Sequence, residues 1–504
     1  MKFHPRLLLL ILPILWALAL FDFAFFTGGD NAYYLILSKS IAFHHSYTDL
    51  FLPGTPSATH FPPLLPLILS PFVFIFGHNY IPEKFVVLFF FGVSVVFCFL
   101  VLQKVLGVKS RSTTPGIDLV ILVFAYAFNF VAVEHSHHIL SEIPYLAFSL
   151  ISIFFLMNYL ENKRRCLLFL TIFTAVLTFH LRTIGFTLIL AEFLVLLRRD
   201  RKALPIAVGL AILLVIPWSL RNFFVSGSTS NYLQQFLLKN VYAADLGTIT
   251  FGDFLGRIQN NSFRFASQIY CELMTSKNPG LLISIPLLLL TMVGVVEGLK
   301  GSKSEVMIWY LLLYNIFMLS WHWYDSRYAL PVLPFFLYSI YLGSKKVSSY
   351  IKKGRFPIPA VLLLLLFFSN VHSGSKHLSP RWRGNQVWLS GDRLYPYPKG
   401  FRNYFEVAQF AEANTAENAI VCARKPRLFY WFSERKSIVY PYTSDTKKMR
   451  DFFDENQIQY VVLDTIYGTT KAYLMPALNR MRSELRLVYE TPTFPKVYLL
   501  EIVH

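Results

Sequence analysis

Asp30 follows Gly28-Gly29 and opens the run NAYYLILSKSIAF, so a carboxylate stands where one long apolar stretch has just ended. Held at a membrane surface, such a group can accept a proton from a hydroxyl or ligate a divalent metal. It also has a plain structural use, because aspartate ahead of an apolar helix is a favoured N-cap. Glu142, in HSHHILSEIPYLAF, is a second carboxylate that a helix dipole alone would favour. It follows Glu134, His135, His137 and His138 closely enough for a metal-ligating cluster, and a solvated, unliganded loop accounts for the same residues. Arg182 in FHLRTIGF and Arg327 in WHWYDSRYALP are isolated cations, each between two apolar runs. A guanidinium there can hold a phosphate through paired charge-assisted bonds, or pair with headgroups or, for Arg327, with Asp325. His60, ahead of Phe61-Pro62-Pro63, and His138 are further candidate phosphate or metal contacts, with a solvated loop histidine as the plain alternative.

The elements that must position these residues are membrane spans. Of 504 residues 55% are hydrophobic and only 15% charged, against about a quarter charged in soluble chains. Apolar runs near the length that crosses a bilayer recur along the chain. The first, Leu7 to Phe26, follows Lys2 and Arg6 and lacks a small-residue cleavage site, so it reads as a retained span. Further spans are expected near 82–103, 117–133, 143–160, 166–180, 184–197, 203–220, 279–299, 305–321, 328–343 and 357–371, about eleven in all. The run 64–77 is too short to cross and reads as a helix lying in the outer interface.

Charge tests that layout. The segments placed inside (1–6, 104–116, 161–165, 198–202, 300–304 and 344–356) carry 19 Lys and Arg, whereas the short outer segments carry only Lys39, Arg182 and Arg327. Counting 64–77 as a span would invert every later loop and destroy the bias. The net charge of +18 therefore marks cytoplasmic loops and not one basic face threaded with aromatics, which excludes nucleic acid as the expected partner.

Two large pieces then lie outside: the loop 221–278 and the tail 372–504, following a membrane domain 1–371 whose other outer loop is 27–81. In the tail, 419–424, 437–442, 459–464 and 496–503 read as strands, and 402–414, 445–456 and 471–483 as helices, making a small α/β domain. It has no glycine-rich phosphate loop, paired-cysteine metal site or nucleophile elbow. Cys98 and Cys166 read as small hydrophobes; Cys271 and Cys422 both fall in outer segments, where a disulfide could form.

GGDNAYYLILSKSIAF, FPPLLPLILSPFVFIFG, ILSEIPYLAFSL, HLRTIGFTLIL and SRYALPVLPFF occur in an order that resembles the GT-C glycosyltransferases, in particular the dolichyl-phosphate-mannose protein mannosyltransferase and lipid A aminoarabinose transferase group. The resemblance covers about residues 1–345. It implies a GT-C-like polytopic helical membrane protein carrying an extracytoplasmic α/β domain, in a bacterial inner membrane with its N-terminus inside. It also implies transfer of a sugar from a polyprenyl-phosphate donor to an extracytoplasmic acceptor, with inversion, among membrane lipids. The family's first acidic position falls on Asp30 and its second on Glu142, with Glu134 as rival. Arg182 and Arg327 would hold the donor phosphate, helped by His60 and His138, and Asp30, Glu142 and His138 are the places for a divalent metal. In the aminoarabinose branch an acidic-basic pair precedes the double proline; here His60 and Phe61 stand there. The competing readings are a flippase of lipid-linked sugars and an O-antigen ligase or polymerase.

Overall fold

The computed structural model describes residues 5–108, 116–226, 231–241, 246–278, 280–350 and 357–503. Parts of the basic segments 104–116 and 344–356 and of the loop 221–278 lie outside these residues. Among the described residues, five helices are long and apolar enough to cross a membrane: Ile81–Val105, Glu142–Asn162, Leu204–Val225, Leu281–Lys300 and Ile358–Leu389. Shorter apolar helices accompany them, among them Leu64–Phe76, Ile117–Ala127, Arg165–Leu181 and Glu305–Ser320. This is an integral membrane protein, and each expected span coincides with helix over most of its length. The helix Ile358–Leu389 runs through position 371 without a break.

The described chain divides into two compact units. The first comprises Met1–Phe21, Thr59–Leu65 and Lys84–Ser379. Its helices pack in neighbouring pairs, Glu142–Asn162 against Arg165–Leu181, and Leu281–Lys300 against Leu333–Tyr350. Ion pairs tie the helix ends together: Arg198 and Arg199 both meet the buried Glu305, and Lys104 and Lys303 both meet Glu161. The segment read as an outer loop, 221–278, is largely helical, with Asn231–Leu237, Phe251–Arg264 and Tyr270–Thr275. Thr250 and Asp253 close a capping box at the start of Phe251–Arg264, a signal that the apolar-run reading passes over.

The second unit comprises Asp22–Ala58, Pro66–Glu83 and Pro380–His504. Its sheet has strands β1 (Ile420–Cys422), β2 (Lys436–Ile438), β3 (Tyr460–Leu463), β4 (Leu485–Glu490) and β5 (Tyr498–Ile502), in the order β2-β1-β3-β5-β4. β1 is parallel to both β2 and β3, and β5 is antiparallel to β3 and β4. The four expected strands are present, and β4 is an addition. Met449, Phe453, Val461 and Leu478 fill the core beneath the sheet. The disulfide does not form: Cys271 and Cys422 are each a buried free thiol.

Asp464, just past β3, is fully buried. Burial pushes its carboxyl up to about 6, against the opposing pull of the Ile466 amide, the Thr470 hydroxyl and the Arg424 charge. The folded state therefore binds more protons than the unfolded one between pH 4 and 6, and this group's contribution to stability falls as pH rises through that window. About two pH units correspond to roughly 3 kcal/mol. Asp464→Asn should unfold at a higher temperature than wild type at pH 7 and match it near pH 4. Equal differences at both pH values would refute this assignment.

Candidate active site

In the first unit, Glu142 opens the helix Glu142–Asn162 and is 2% exposed. Arg182 Nη1 lies 2.6 Å from Glu142 Oε1, and Arg327 Nε lies 3.9 Å from the same oxygen. The two isolated cations thus converge on one carboxylate, although 145 positions separate them in the chain. Arg182 becomes available because Arg165–Leu181 stops at it in extended backbone (φ −150°, ψ 130°) before the single turn Thr183–Gly185. That turn needs glycine, since a Cβ on Gly185 would stand 2.4 Å from the Phe179 backbone nitrogen. Arg327 sits in the short helix Ser326–Ala329. Its Nη2 donates to the Tyr328 hydroxyl at 2.7 Å, and Tyr314 donates to the Tyr328 carbonyl at 2.6 Å. The Tyr328 ring centre is 5.5 Å from the Arg182 guanidinium and 4.6 Å from that of Arg327. One ring and one carboxylate therefore orient both cations. Asp325, the other candidate partner for Arg327, is exposed.

Asn129 caps the helix Phe130–His135 by accepting the Ala132 amide, and donates to the Leu273 carbonyl at 2.7 Å. This fixes the stretch carrying Glu134. His135 turns to the Val131 carbonyl at 2.8 Å, whereas Glu134, His137 and His138 bring three ligand atoms within 4.8 Å of one another. His137 and His138 are buried, so this is not the wet loop that the sequence allows. One carboxylate and two imidazoles suit zinc or a similar divalent ion, and the spacing fits a cation. The set differs from the sequence expectation: it contains His138 and Glu134 but neither Asp30 nor Glu142. His60 stacks on Phe61, with ring centres 5.1 Å apart.

In the second unit, Gly29, with φ +97°, occupies the cap position of the helix Asp30–His44 and offers no side-chain cap. Asp30 is the first helical residue. The N-cap reading is therefore corrected by one position, and the carboxylate sits in the first turn, where the helix dipole favours it. Arg427 Nη1 lies 3.9 Å from Asp30 Oδ1. The Arg427 guanidinium stacks 3.7 Å from the centre of the Tyr33 ring, one turn along the same helix. Lys425 donates to the Gly28 carbonyl at 2.9 Å. Sequence reasoning missed Lys425 and Arg427. Their signal was the cluster CARKPR directly after an expected strand.

No family model matches the chain, and no curated protein does. Solved structures do. ArnT from Cupriavidus metallidurans, bound to undecaprenyl phosphate, superposes with a TM-score of 0.59 at 10% identity, over 99% of this chain and 98% of that one. The chain has the fold of the GT-C glycosyltransferases. The archaeal oligosaccharyltransferase AglB from Archaeoglobus fulgidus, in complex with an inhibitory peptide and a dolichol-phosphate, gives 0.58 at 15% identity, over 99% of this chain and 74% of that one. Arabinofuranosyltransferase AftD from Mycobacteria gives 0.50 at 12% identity, over all of this chain and 40% of its own length.

Proposed function

We propose that this protein is a glycosyltransferase moving a sugar from a polyprenyl-phosphate carrier to an extracytoplasmic acceptor, with inversion. The observation that carries the reading is the convergence of Arg182 and Arg327 on Glu142. Two guanidiniums against one carboxylate leave a net positive charge, which is what a departing lipid phosphate requires. A polyprenyl phosphate leaves readily, so the remaining demand is a base for the acceptor hydroxyl. The base of this proposal is Asp30, about 30% exposed, which takes the proton of the acceptor hydroxyl. Glu142 is too enclosed to serve as a second base and holds the arginines instead. Glu134, His137 and His138 would hold a divalent ion, which would add positive charge for the phosphate oxygens. In this reading eleven spans sit in a bacterial inner membrane with the N-terminus inside and the terminal sheet outside, as the charge bias favours.

The test uses the purified chain in lipid nanodiscs with radiolabelled polyprenyl-phosphate sugars and candidate acceptors. Transfer with release of polyprenyl phosphate is expected, with a chelator-sensitive rate if the Glu134 cluster is loaded. Movement of the labelled lipid between leaflets without transfer to any acceptor would overturn the reading in favour of a flippase.

A further inference from the structure

From the turn Arg424-Lys425-Pro426-Arg427 we infer a binding subsite for an anionic group on the acceptor, a phosphate or carboxylate carried by a saccharide, beside the turn that bears Asp30. The inference rests on the glycosyltransferase reading for the word acceptor, and on the second unit's geometry for the site.

The chain leaves β1 for β2 on one side and returns to β3 on the other, so the carboxyl ends of β1 and β3 flank a topological switch point. Parallel sheets bind ligands in the crevice at such points. Three cations in four residues leave β1 there. Arg424 Nε donates to Thr469 Oγ1, beyond β3, at 2.7 Å. Its guanidinium lies 5.1 Å from the ring centre of Tyr467 and 5.5 Å from that of Tyr442, beyond β2. Lys425 Nζ lies 4.9 Å from the same Tyr467 ring. The loops after all three parallel strands thus meet on these cations. The hydroxyl and the rings orient the guanidinium. The nearby carboxylate, Asp464, is wholly buried and offsets part of the Arg424 charge, and Arg424 and Lys425 are half-buried, so the three cations of the turn still outnumber it. The bond from Lys425 to the Gly28 carbonyl sets this crevice two residues from Asp30. An acceptor anchored by its anion at Arg424 and Lys425 would bring a neighbouring hydroxyl to the Asp30 carboxylate.

The test titrates glucose 1-phosphate, glucuronate and glucose onto the full chain in nanodiscs already saturated with undecaprenyl phosphate, which occupies the Arg182–Arg327 clamp. Both charged sugars should bind and glucose should not, and whichever binds more tightly identifies phosphate or carboxylate as the natural anion. Arg424→Gln should weaken that binding at least about tenfold, as expected for one charge-assisted hydrogen bond, and Arg424→Lys should restore most of it. Loss of binding on saturation with the carrier, equal affinity in Arg424→Gln, or equal affinity for glucose would each overturn the inference. Undecaprenyl phosphate is titrated separately. If it fails to bind while the sugars do, the donor reading falls and the anion site stands.

Discussion

Asp30→Asn should transfer sugar about 10²–10⁴-fold more slowly than wild type while folding and inserting normally, because general-base catalysis is worth that much. The structural cost of the swap is small. Asp30 is not the cap, so asparagine gains nothing as a cap at that position and forgoes the dipole interaction of the first turn, about 0.3–1 kcal/mol. The contact with Arg427 is long, at 3.9 Å, and partly exposed, which places it among ion pairs worth about 1 kcal/mol or less. The measurement is the single-turnover rate with saturating donor, next to the melting temperature and the affinity for undecaprenyl phosphate. Slow transfer with unchanged melting and carrier binding supports the base. Transfer near the wild-type rate removes Asp30 from the chemistry, and the Gly28–Asp30 turn then has only an architectural role.

The helices were legible because each is an apolar run bounded by charge, and the strand set largely because parallel strands read as short apolar stretches. β4 escaped for the converse reason: LRLVYE is an edge strand whose Arg486 and Glu490 break the apolar run. The segment PRLFYWFS resisted for want of length, and becomes the helix Pro426–Ser433 by packing against Asp30–His44. Among the candidate residues, isolation between apolar runs marked Arg182 and Arg327. Nothing local marked their shared partner, because the two arginines lie 40 and 185 positions beyond Glu142 in the chain. The same limit hid Arg427, nearly 400 positions from Asp30. Sequence proximity could not choose between the two carboxylates near the histidines, and it is Glu134 that the fold turns toward His137 and His138.

Arg182→Gln should reduce transfer about 10²–10³-fold, the cost of removing one well-placed donor to a developing negative charge. It should also destabilise the protein, because Glu142 is almost wholly buried and loses its 2.6 Å partner; breaking such a pair typically costs about 3–5 kcal/mol. These two consequences must be separated, since a structural ion pair would show both in the single variant. The double variant Glu142→Gln/Arg182→Gln separates them. The double variant removes the buried carboxylate that Arg182→Gln leaves without its nearest partner, and Arg327 keeps its bond to the Tyr328 hydroxyl, so the double variant should recover most of the stability lost in Arg182→Gln. If Arg182 exists only to satisfy Glu142, activity should return with stability. If Arg182 stabilises the departing phosphate, the double variant should melt near wild type and still transfer at the rate of the single variant, with weakened affinity for undecaprenyl phosphate. Glu142→Gln alone completes the cycle: it leaves both guanidiniums in place, so carrier binding should persist, while the rate falls because the arginines lose the carboxylate that aims them. Recovery of both melting temperature and transfer rate in the double variant would end the phosphate-clamp reading.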